Sequence, residues 1–156
     1  MREFVKSEIV VPNDLELIYK REIKTLDVSE LFSRKLIVYY DTLDCLSCRV
    51  ARVQEYSELF VMSDTSAFSV LLIFSPKFEE MDDIRARLMQ FNYDFPVYLD
   101  VNRSFCKKNP NIPSDIRFHS FLIDENGVPI YVGNPLIDQT LFDVFNTVIS
   151  QTKKCY

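Results

Sequence analysis

Two strand-to-helix units in succession constrain the fold of this chain more than any other pattern in it. Residues 36–40 and 70–74 are continuous apolar runs with the length of buried strands, and apolar residues at helical spacing follow each of them. Strands that are connected through helices pair in parallel, with right-handed crossovers. The sequence therefore predicts an α/β fold with a sheet flanked by helices.

Shorter apolar runs complete the predicted sheet. A strand at 96–100 precedes two strands at 120–123 and 129–132, and these two flank Asn126-Gly127, a pair typical of tight hairpins. A last amphipathic helix follows them. An antiparallel ribbon beside a parallel pair makes the predicted central sheet a mixed one.

The N-terminal residues are predicted to form a hairpin. Apolar runs at 9–11 and 15–19 are separated by a polar, proline-containing turn at 12–14. We expect residues 1–34 to pack as a hairpin extension on a domain formed by residues 35–156. A chain of 156 residues suits a single domain overall, because it can bury a sizeable core.

Composition excludes two classes of partner. The chain has 18 Lys and Arg against 23 Asp and Glu, a formal net charge of −5, so it has no excess positive charge for phosphates or anionic lipids. No apolar run approaches the roughly 20 residues of a membrane-spanning helix, and the N-terminus lacks the basic-then-apolar order of a signal peptide. We therefore expect no nucleic-acid partner and no membrane-spanning segment.

A Cys-Leu-Ser-Cys motif, from Cys45 to Cys48, lies where the first apolar strand gives way to a helical pattern that ends before Ser63. Two thiols at this spacing can close a small disulfide ring, and the unpaired N–H groups of a helix start can stabilise one of them as a thiolate. Such a motif within a strand-helix unit favours thiol-disulfide chemistry.

The other two cysteines do not alter this prediction. A zinc site commonly needs four ligands, and Cys106, Cys155 or His119 would have to converge on the pair from unrelated segments. Four cysteines in the chain are too few for a disulfide scaffold. We expect Cys106 and Cys155 to be unpaired thiols, and we expect neither a metal nor a cofactor.

Two segments carry a resemblance to a known family. They are Lys35-Leu36-Ile37-Val38 leading to Cys45-Leu46-Ser47-Cys48-Arg49, and Ser120-Phe121-Leu122-Ile123-Asp124-Glu125-Asn126-Gly127 leading to Gly133. Over about residues 25–150 the chain resembles thioredoxin-like proteins, of the bacterial type related to the TlpA and ResA thiol-disulfide oxidoreductases.

This resemblance implies a thioredoxin-like fold and an exchange of disulfides with a protein partner. In the family the first cysteine attacks the partner's disulfide and the second resolves the mixed disulfide. Those roles fall on Cys45 and Cys48. The resemblance also implies a location in the periplasm or cell envelope.

Three positions depart from the family pattern. Phe118 stands where the family has a cis-proline that faces the cysteine pair, and a cis bond before a residue other than proline costs about 3 kcal/mol, so we expect a trans or strained peptide there. Asp44 replaces the tryptophan before the first cysteine. Tyr39 replaces a buried acid, so that proton transfer would need another group.

Several polar residues are candidates for accessory roles. Asp44 would raise the pKa of Cys45 through like-charge repulsion, or it is a solvated helix cap. Asp41 could relay protons, or it holds the loop. His119, beside Phe118, could accept a proton from the resolving thiol, or it is a surface or packed residue.

Two further arginines follow the motif. Arg49 and Arg52 could supply positive potential near the sulfurs, although residues at such positions on a helix are mostly solvated.

Two other functions compete with disulfide exchange. The departures at Asp44 and Phe118 are compatible with a thioredoxin-like module that binds a partner without catalysis. The sequence Thr42-Leu43-Asp44-Cys45 matches the short Thr-x-x-Cys core of peroxiredoxins, with Arg103 or Arg117 to assist a peroxide. We regard a peroxiredoxin-like thiol peroxidase as the weaker alternative, because Val38 stands where that family has a proline.

Overall fold

The structure, a computed structural model, describes residues 1–153 of the chain. The strands are β1 (Glu16–Tyr19), β2 (Glu22–Thr25), β3 (Lys35–Tyr40), β4 (Ser69–Phe74), β5 (Val97–Leu99), β6 (Ser120–Ile123) and β7 (Pro129–Val132). The α-helices are α1 (Leu46–Val50), α2 (Ser57–Ser66), α3 (Met81–Gln90), α4 (Ser104–Lys108) and α5 (Gln139–Lys153). Short 3-10 helices occupy Phe4–Lys6, Val28–Glu30, Val53–Tyr56, Phe78–Glu80 and Ile116–Phe118.

All seven strands join one sheet in the order β2-β1-β5-β4-β3-β6-β7. The pairs β3–β4 and β4–β5 are parallel, whereas β6 pairs antiparallel with β3 and with β7. This topology confirms the predicted α/β fold with a mixed central sheet. No helix within residues 1–153 is long and apolar enough to cross a membrane.

The sheet separates two apolar cores. Because side chains alternate along a strand, Val38 and Tyr40 of β3 face a core shared with α1, α2, α3 and α5. Ile37 and Tyr39 face a second core that includes Phe105 of α4 and the N-terminal 3-10 helix. Full burial of one such large apolar side chain contributes about 1.5–3 kcal/mol, so both faces hold β3 in place.

The predicted helix after Cys45 is wrong in one respect, since it is divided. α1 ends at Val50, a 3-10 helix follows, and α2 begins only at Ser57. The buried hydroxyl of Tyr93 donates a 2.8 Å hydrogen bond to the Val50 carbonyl. Because α1 ends at Val50, the carbonyl of this residue has no partner within the helix, and Tyr93 supplies one from outside.

The N-terminal hairpin is present, but its strands differ from the predicted ones. The chain reverses at Lys20 and Arg21, which have φ angles of 49° and 62° and so match the twist of a two-residue hairpin. The strands are therefore β1 and β2, and the run at 9–11 is not a strand. It docks elsewhere, because the Ile9 amide donates to the Gly127 carbonyl at 2.8 Å and Val10 exchanges two 2.8 Å hydrogen bonds with Asn109.

Replacing Gly127 by alanine tests this docking of the N-terminal segment. Gly127 has a φ of 78°, and an added Cβ would lie 2.9 Å from the Ile9 carbonyl oxygen. We expect Gly127→Ala to lower the free energy of unfolding by about 1–3 kcal/mol, because a left-handed conformation is strained for alanine. Thermal or denaturant unfolding measures the loss.

Glu125→Ala, in the same turn, is the matched control. Glu125 is exposed, and we expect a change within about 0.5 kcal/mol. Equal stability of Gly127→Ala and the parent protein would contradict the described packing of the turn.

Candidate functional site

A tight turn carries the chain from β3 into the cysteine motif. The Asp41 carboxylate accepts a 2.8 Å hydrogen bond from the Leu43 amide, and the Asp41 carbonyl accepts one from the Asp44 amide at 3.2 Å. Asp41 therefore holds the turn, as one of its two predicted roles requires. The turn brings Cys45 to the first position before α1, at the carboxyl end of a central strand.

Cys45 and Cys48 form a disulfide, with their Cα atoms 5.3 Å apart. Both residues are exposed, so that a sulfur atom of another molecule can approach them. The first amides of α1 have no partners within the helix and lie next to Cys45. The Ser47 hydroxyl is 3.7 Å from the Cys45 sulfur and offers a further donor to a thiolate.

Asp44 forms an ion pair with Arg49. The Arg49 Nε lies 3.0 Å from one carboxylate oxygen of Asp44 and 3.2 Å from the other. Burial lowers the pKa of Arg49, but the hydrogen bond and charge of Asp44 outweigh that effect and raise it. The Asp44 carboxylate also accepts from the Cys45 amide at 2.9 Å. Arg49 therefore offsets the repulsion that the sequence predicts between Asp44 and a Cys45 thiolate.

His119 is buried rather than exposed, with 3% of its surface accessible. Its Nε2 lies 2.6 Å from the Pro113 carbonyl, which only accepts hydrogen bonds, so Nε2 carries a proton. Its Nδ1 has no hydrogen-bond partner among residues 1–153 and lies 4.0 Å from a carboxylate oxygen of Asp41. A second proton on the ring would therefore face Asp41.

Phe118 lies at the end of a 3-10 helix, just before β6. Every peptide bond of the described residues is trans, as expected for a non-proline residue at this position. The Arg117 guanidinium lies over the Phe118 ring, 5.9 Å from its centroid. Since the His119 carbonyl accepts from the Tyr39 amide at 2.8 Å, Phe118 and His119 lie beside the end of β3.

Tyr39 occupies the position where the family has a buried acid. Burial, the largest effect, raises the pKa of its hydroxyl, and the neighbouring Cys106 and Asp41 add to the rise. The hydroxyl therefore stays protonated at neutral pH and is no substitute for a carboxylate base. Asp41 and His119 are other groups near the turn with an atom that can accept a proton.

Other predicted residues do not join the site. Arg103 directs its guanidinium at the carbonyl oxygens of Ser75 and Pro76, at 3.2 and 3.3 Å, and Arg117 pairs with Asp115 at 2.6 Å. Neither arginine pairs with a residue of the cysteine motif.

The remaining thiols are not part of the site either. Cys106 is an exposed free thiol, and Cys155 lies outside the described residues. Within residues 1–153, no cluster of three or more His, Cys, Asp and Glu side chains could hold a metal ion.

Two contacts near the sulfurs have no clear sequence signal. The Asp44–Arg49 pair spans five positions between a loop and a helix, whereas the pairs that sequence patterns predict lie three or four apart on one helix. Ser47 is one of many serines in the chain, and nothing in the sequence marks it as a neighbour of the Cys45 sulfur, because that distance depends on how the turn folds.

No protein-family model and no curated protein matches the chain. Solved structures do match it. A protein from Chlorobium tepidum assigned as thiol:disulfide interchange protein DsbE has 17% identity and a TM-score of 0.57, over 86% of this chain and 92% of that one. AhpC of Mycobacterium tuberculosis has 14% identity and a TM-score of 0.54, over 95% of this chain and 96% of that one.

A third structure is an uncharacterised thioredoxin-like protein from Porphyromonas gingivalis. It has 16% identity and a TM-score of 0.51, and the match covers 97% of each chain. At identities this low the likeness establishes the fold alone. The chain therefore has the thioredoxin-like fold, with a cysteine pair at the motif position that the sequence predicts.

Opposite changes at the Asp44–Arg49 pair test the electrostatics of Cys45. In the reduced protein, Asp44→Asn removes a negative charge and leaves Arg49 unpaired, so we expect the pKa of Cys45 to fall. Arg49→Gln removes the positive charge, so we expect it to rise. The Arg49 and Asp44 side chains are 39% and 12% exposed, and one such charge at several ångströms changes a pKa by about half a unit or more.

The rate of thiol alkylation against pH measures both shifts in a background without Cys106 and Cys155. Arg87→Gln, which removes a comparable ion pair with Asp83, is the control and should leave the titration unchanged. Shifts of the same sign in Asp44→Asn and Arg49→Gln would contradict this account.

Proposed function

We propose that the chain is a thiol-disulfide oxidoreductase that exchanges its Cys45–Cys48 disulfide with a protein partner. The observation that carries the proposal is the position of this disulfide, which is exposed and begins a helix at the end of a central strand. A structural disulfide gains nothing from exposure, whereas an exchanging one requires it.

The exchange balances as a two-electron transfer. In the reduced chain the Cys45 thiolate attacks one sulfur of the partner's disulfide, and the partner's other sulfur leaves as a thiolate that takes a proton. The Cys48 thiolate then attacks the Cys45 sulfur, which releases the partner's second thiol and restores the Cys45–Cys48 disulfide. The reverse sequence oxidises a dithiol partner.

The surroundings support Cys45 as the attacking group. It lies next to the unpaired amides of the first turn of α1, and the Ser47 hydroxyl, 3.7 Å from its sulfur, can donate to the thiolate. The proton of the Cys48 thiol would pass to the Asp41–His119 pair. The Nδ1 of His119 could accept it, because this atom has no hydrogen-bond partner among the described residues.

The TlpA and ResA resemblance supports a place for this activity in the periplasm or cell envelope of a bacterium. A structural neighbour assigned as a thiol:disulfide interchange protein agrees with the activity. Under this proposal the partner is a protein thiol or disulfide, with no nucleic acid involved and no bound cofactor required.

A partner-binding module without catalysis is the second candidate, and Phe118 is the observation that favours it. Its position lacks the proline of the family, and the Arg117 guanidinium lies over one face of its ring. A partner that docks without exchanging would need the fold but not the thiols.

Removing each thiol separately tests the proposal. In the reduction of insulin by dithiothreitol, we expect the wild-type chain to accelerate the reaction and Cys45→Ser to return it to the uncatalysed rate. Cys106→Ser is the matched control, since it removes an exposed thiol outside the motif, and it should retain the full rate.

Cys48→Ser should accumulate a mixed disulfide through Cys45, because the resolving thiol is missing. Gel electrophoresis without reductant detects this adduct, which Cys45→Ser/Cys48→Ser cannot form. If Cys45→Ser is as fast as wild type, the exchange activity is refuted and the binding module remains.

A further inference from the structure

A cavity of about 270 Å³ opens beside Arg49 of α1. Arg49, which lines it, directly follows Cys48 in the chain, and the apolar side chains of Leu136 and Ile137 form another part of its wall. The remaining lining residues are Tyr40, Arg52, Glu55, Tyr56 and Asn134. Of the polar groups that line this cavity, disulfide exchange as described above involves only Arg49, through its ion pair with Asp44.

Two buried hydroxyls line the cavity, and only one of their two protons has a hydrogen-bond acceptor among residues 1–153. The Tyr40 and Tyr56 hydroxyl oxygens are 2.8 Å apart, so one proton lies between them. The Asn134 amide donates to the Tyr56 oxygen at 2.7 Å, and its orientation is set because its own oxygen accepts from the Leu136 amide at 2.9 Å.

The second phenolic proton therefore has no acceptor among residues 1–153. Burial, the largest effect on each, raises the pKa of both Tyr40 and Tyr56, so that neither hydroxyl loses its proton at neutral pH. The two residues are 6% and 5% exposed. A buried donor without a partner costs free energy, and both phenols line the cavity, where a ligand oxygen would satisfy this one.

The two arginines present further donors. Arg49 uses only its Nε for Asp44, and Arg52 uses only its Nε for Glu55, at 3.0 Å. The terminal NH2 groups of both guanidiniums have no hydrogen-bond partner within the described part of the chain, and the two side chains are 39% and 65% exposed. Asp44 already neutralises the charge of Arg49, and Glu55 that of Arg52. The cavity therefore offers oriented hydrogen-bond donors rather than net positive charge.

We propose that this cavity binds a carboxylate of a small disulfide substrate, with the free phenolic proton and the terminal NH2 groups of Arg49 and Arg52 as donors. A carboxylate offers two oxygens with about four acceptor positions, and the edge of a guanidinium matches it in a bidentate fork. Leu136 and Ile137 would contact the methylene groups that join the carboxylate to the sulfur. This inference rests on the proposed function, for which it names a substrate class.

The reaction with such a substrate needs no further reagent. The reduced Cys45–Cys48 dithiol supplies two electrons to a disulfide of two carboxyalkyl thiols, Cys45 forms the mixed disulfide, and Cys48 resolves it. Two carboxyalkyl thiols leave with the two protons. Dithiothreitol regenerates the dithiol in the assay.

Binding can be measured without any redox step. We expect 3,3′-thiodipropionate, an unreactive thioether with two carboxylates, to shift the NMR signals of the Tyr56 ring and the Arg52 side chain in the oxidised protein. The corresponding diol should not shift them. Loss of one charged hydrogen bond weakens binding by about tenfold or more, so Arg52→Gln should lower the affinity by this factor.

Two variants accompany Arg52→Gln. Tyr56→Phe removes the hydroxyl whose own proton is free when it accepts from Tyr40, and it should also weaken binding. Arg87→Gln, which breaks the exposed pair with Asp83, should bind as the parent does. Absence of shifts at Tyr56 and Arg52, or equal affinity in Arg52→Gln and the parent, would overturn the site.

Substrate preference tests the second half of the proposal. We expect the reduced protein to act on bis(2-carboxyethyl) disulfide with a kcat/KM about tenfold higher than on bis(2-hydroxyethyl) disulfide, and we expect Arg52→Gln to abolish this preference. Equal kcat/KM values in the parent protein would refute the substrate class. If neither disulfide is reduced but thiodipropionate binds, the proposed exchange activity and the substrate class both fail, whereas the carboxylate site stands.

Discussion

Backbone pairing along both edges of β3 fixes the strand that leads to the cysteine pair. Six residues of β3 pair in parallel with β4 and four pair antiparallel with β6, and both faces of the strand are covered by apolar cores. Its carboxyl end starts the turn that leads to Cys45. The adjacent start of β6 places Phe118 and His119 beside the same end.

The alternation of side chains along β3 gives the site two unlike flanks. Tyr39 points to the α4 side, where the Nδ1 of His119 lies 4.0 Å from the Asp41 carboxylate. Tyr40 points to the α1 side, where its ring lies 5.8 Å from the Arg49 guanidinium. A strand that is shifted by one residue would exchange these surroundings, so the register of β3 determines the chemistry on each side of the disulfide.

Local patterns made much of this structure predictable. The apolar runs of β3, β4, β6 and β7 and the Asn126-Gly127 turn specify the sheet, and the motif itself marks Cys45 and Cys48. The sequence predicts the N-terminal strands at the wrong positions because the turn at Lys20-Arg21 lacks glycine or asparagine, while Pro12-Asn13-Asp14 carries stronger turn residues. Asp14 instead accepts hydrogen bonds from Asn102 and Ser104, at 3.0 and 2.6 Å.

The site was harder to predict, since its contacts join distant segments. Asn134 donates a hydrogen bond to Tyr56, which lies 78 positions away in the chain, and no periodic pattern in the sequence predicts such a contact. The sequence predicts that Asp44 acts on Cys45 through its charge, but its ion pair with Arg49 depends on how the turn folds back on α1. Charge at the site is thus balanced locally, and a Cys45 thiolate would be stabilised by amide and hydroxyl dipoles of a five-residue helix rather than by net positive charge.

The redox equilibrium of the Cys45–Cys48 pair tests this account most directly. Equilibration of the chain with buffers of defined dithiothreitol or glutathione ratio, followed by alkylation and mass spectrometry, gives the fraction of dithiol at each potential. Because thiolate stabilisation is moderate, we expect one reversible two-electron couple nearer to about −270 mV, the thioredoxin value, than to about −120 mV, the DsbA value. A potential near the DsbA value, or the absence of any two-electron couple at these cysteines, would contradict it.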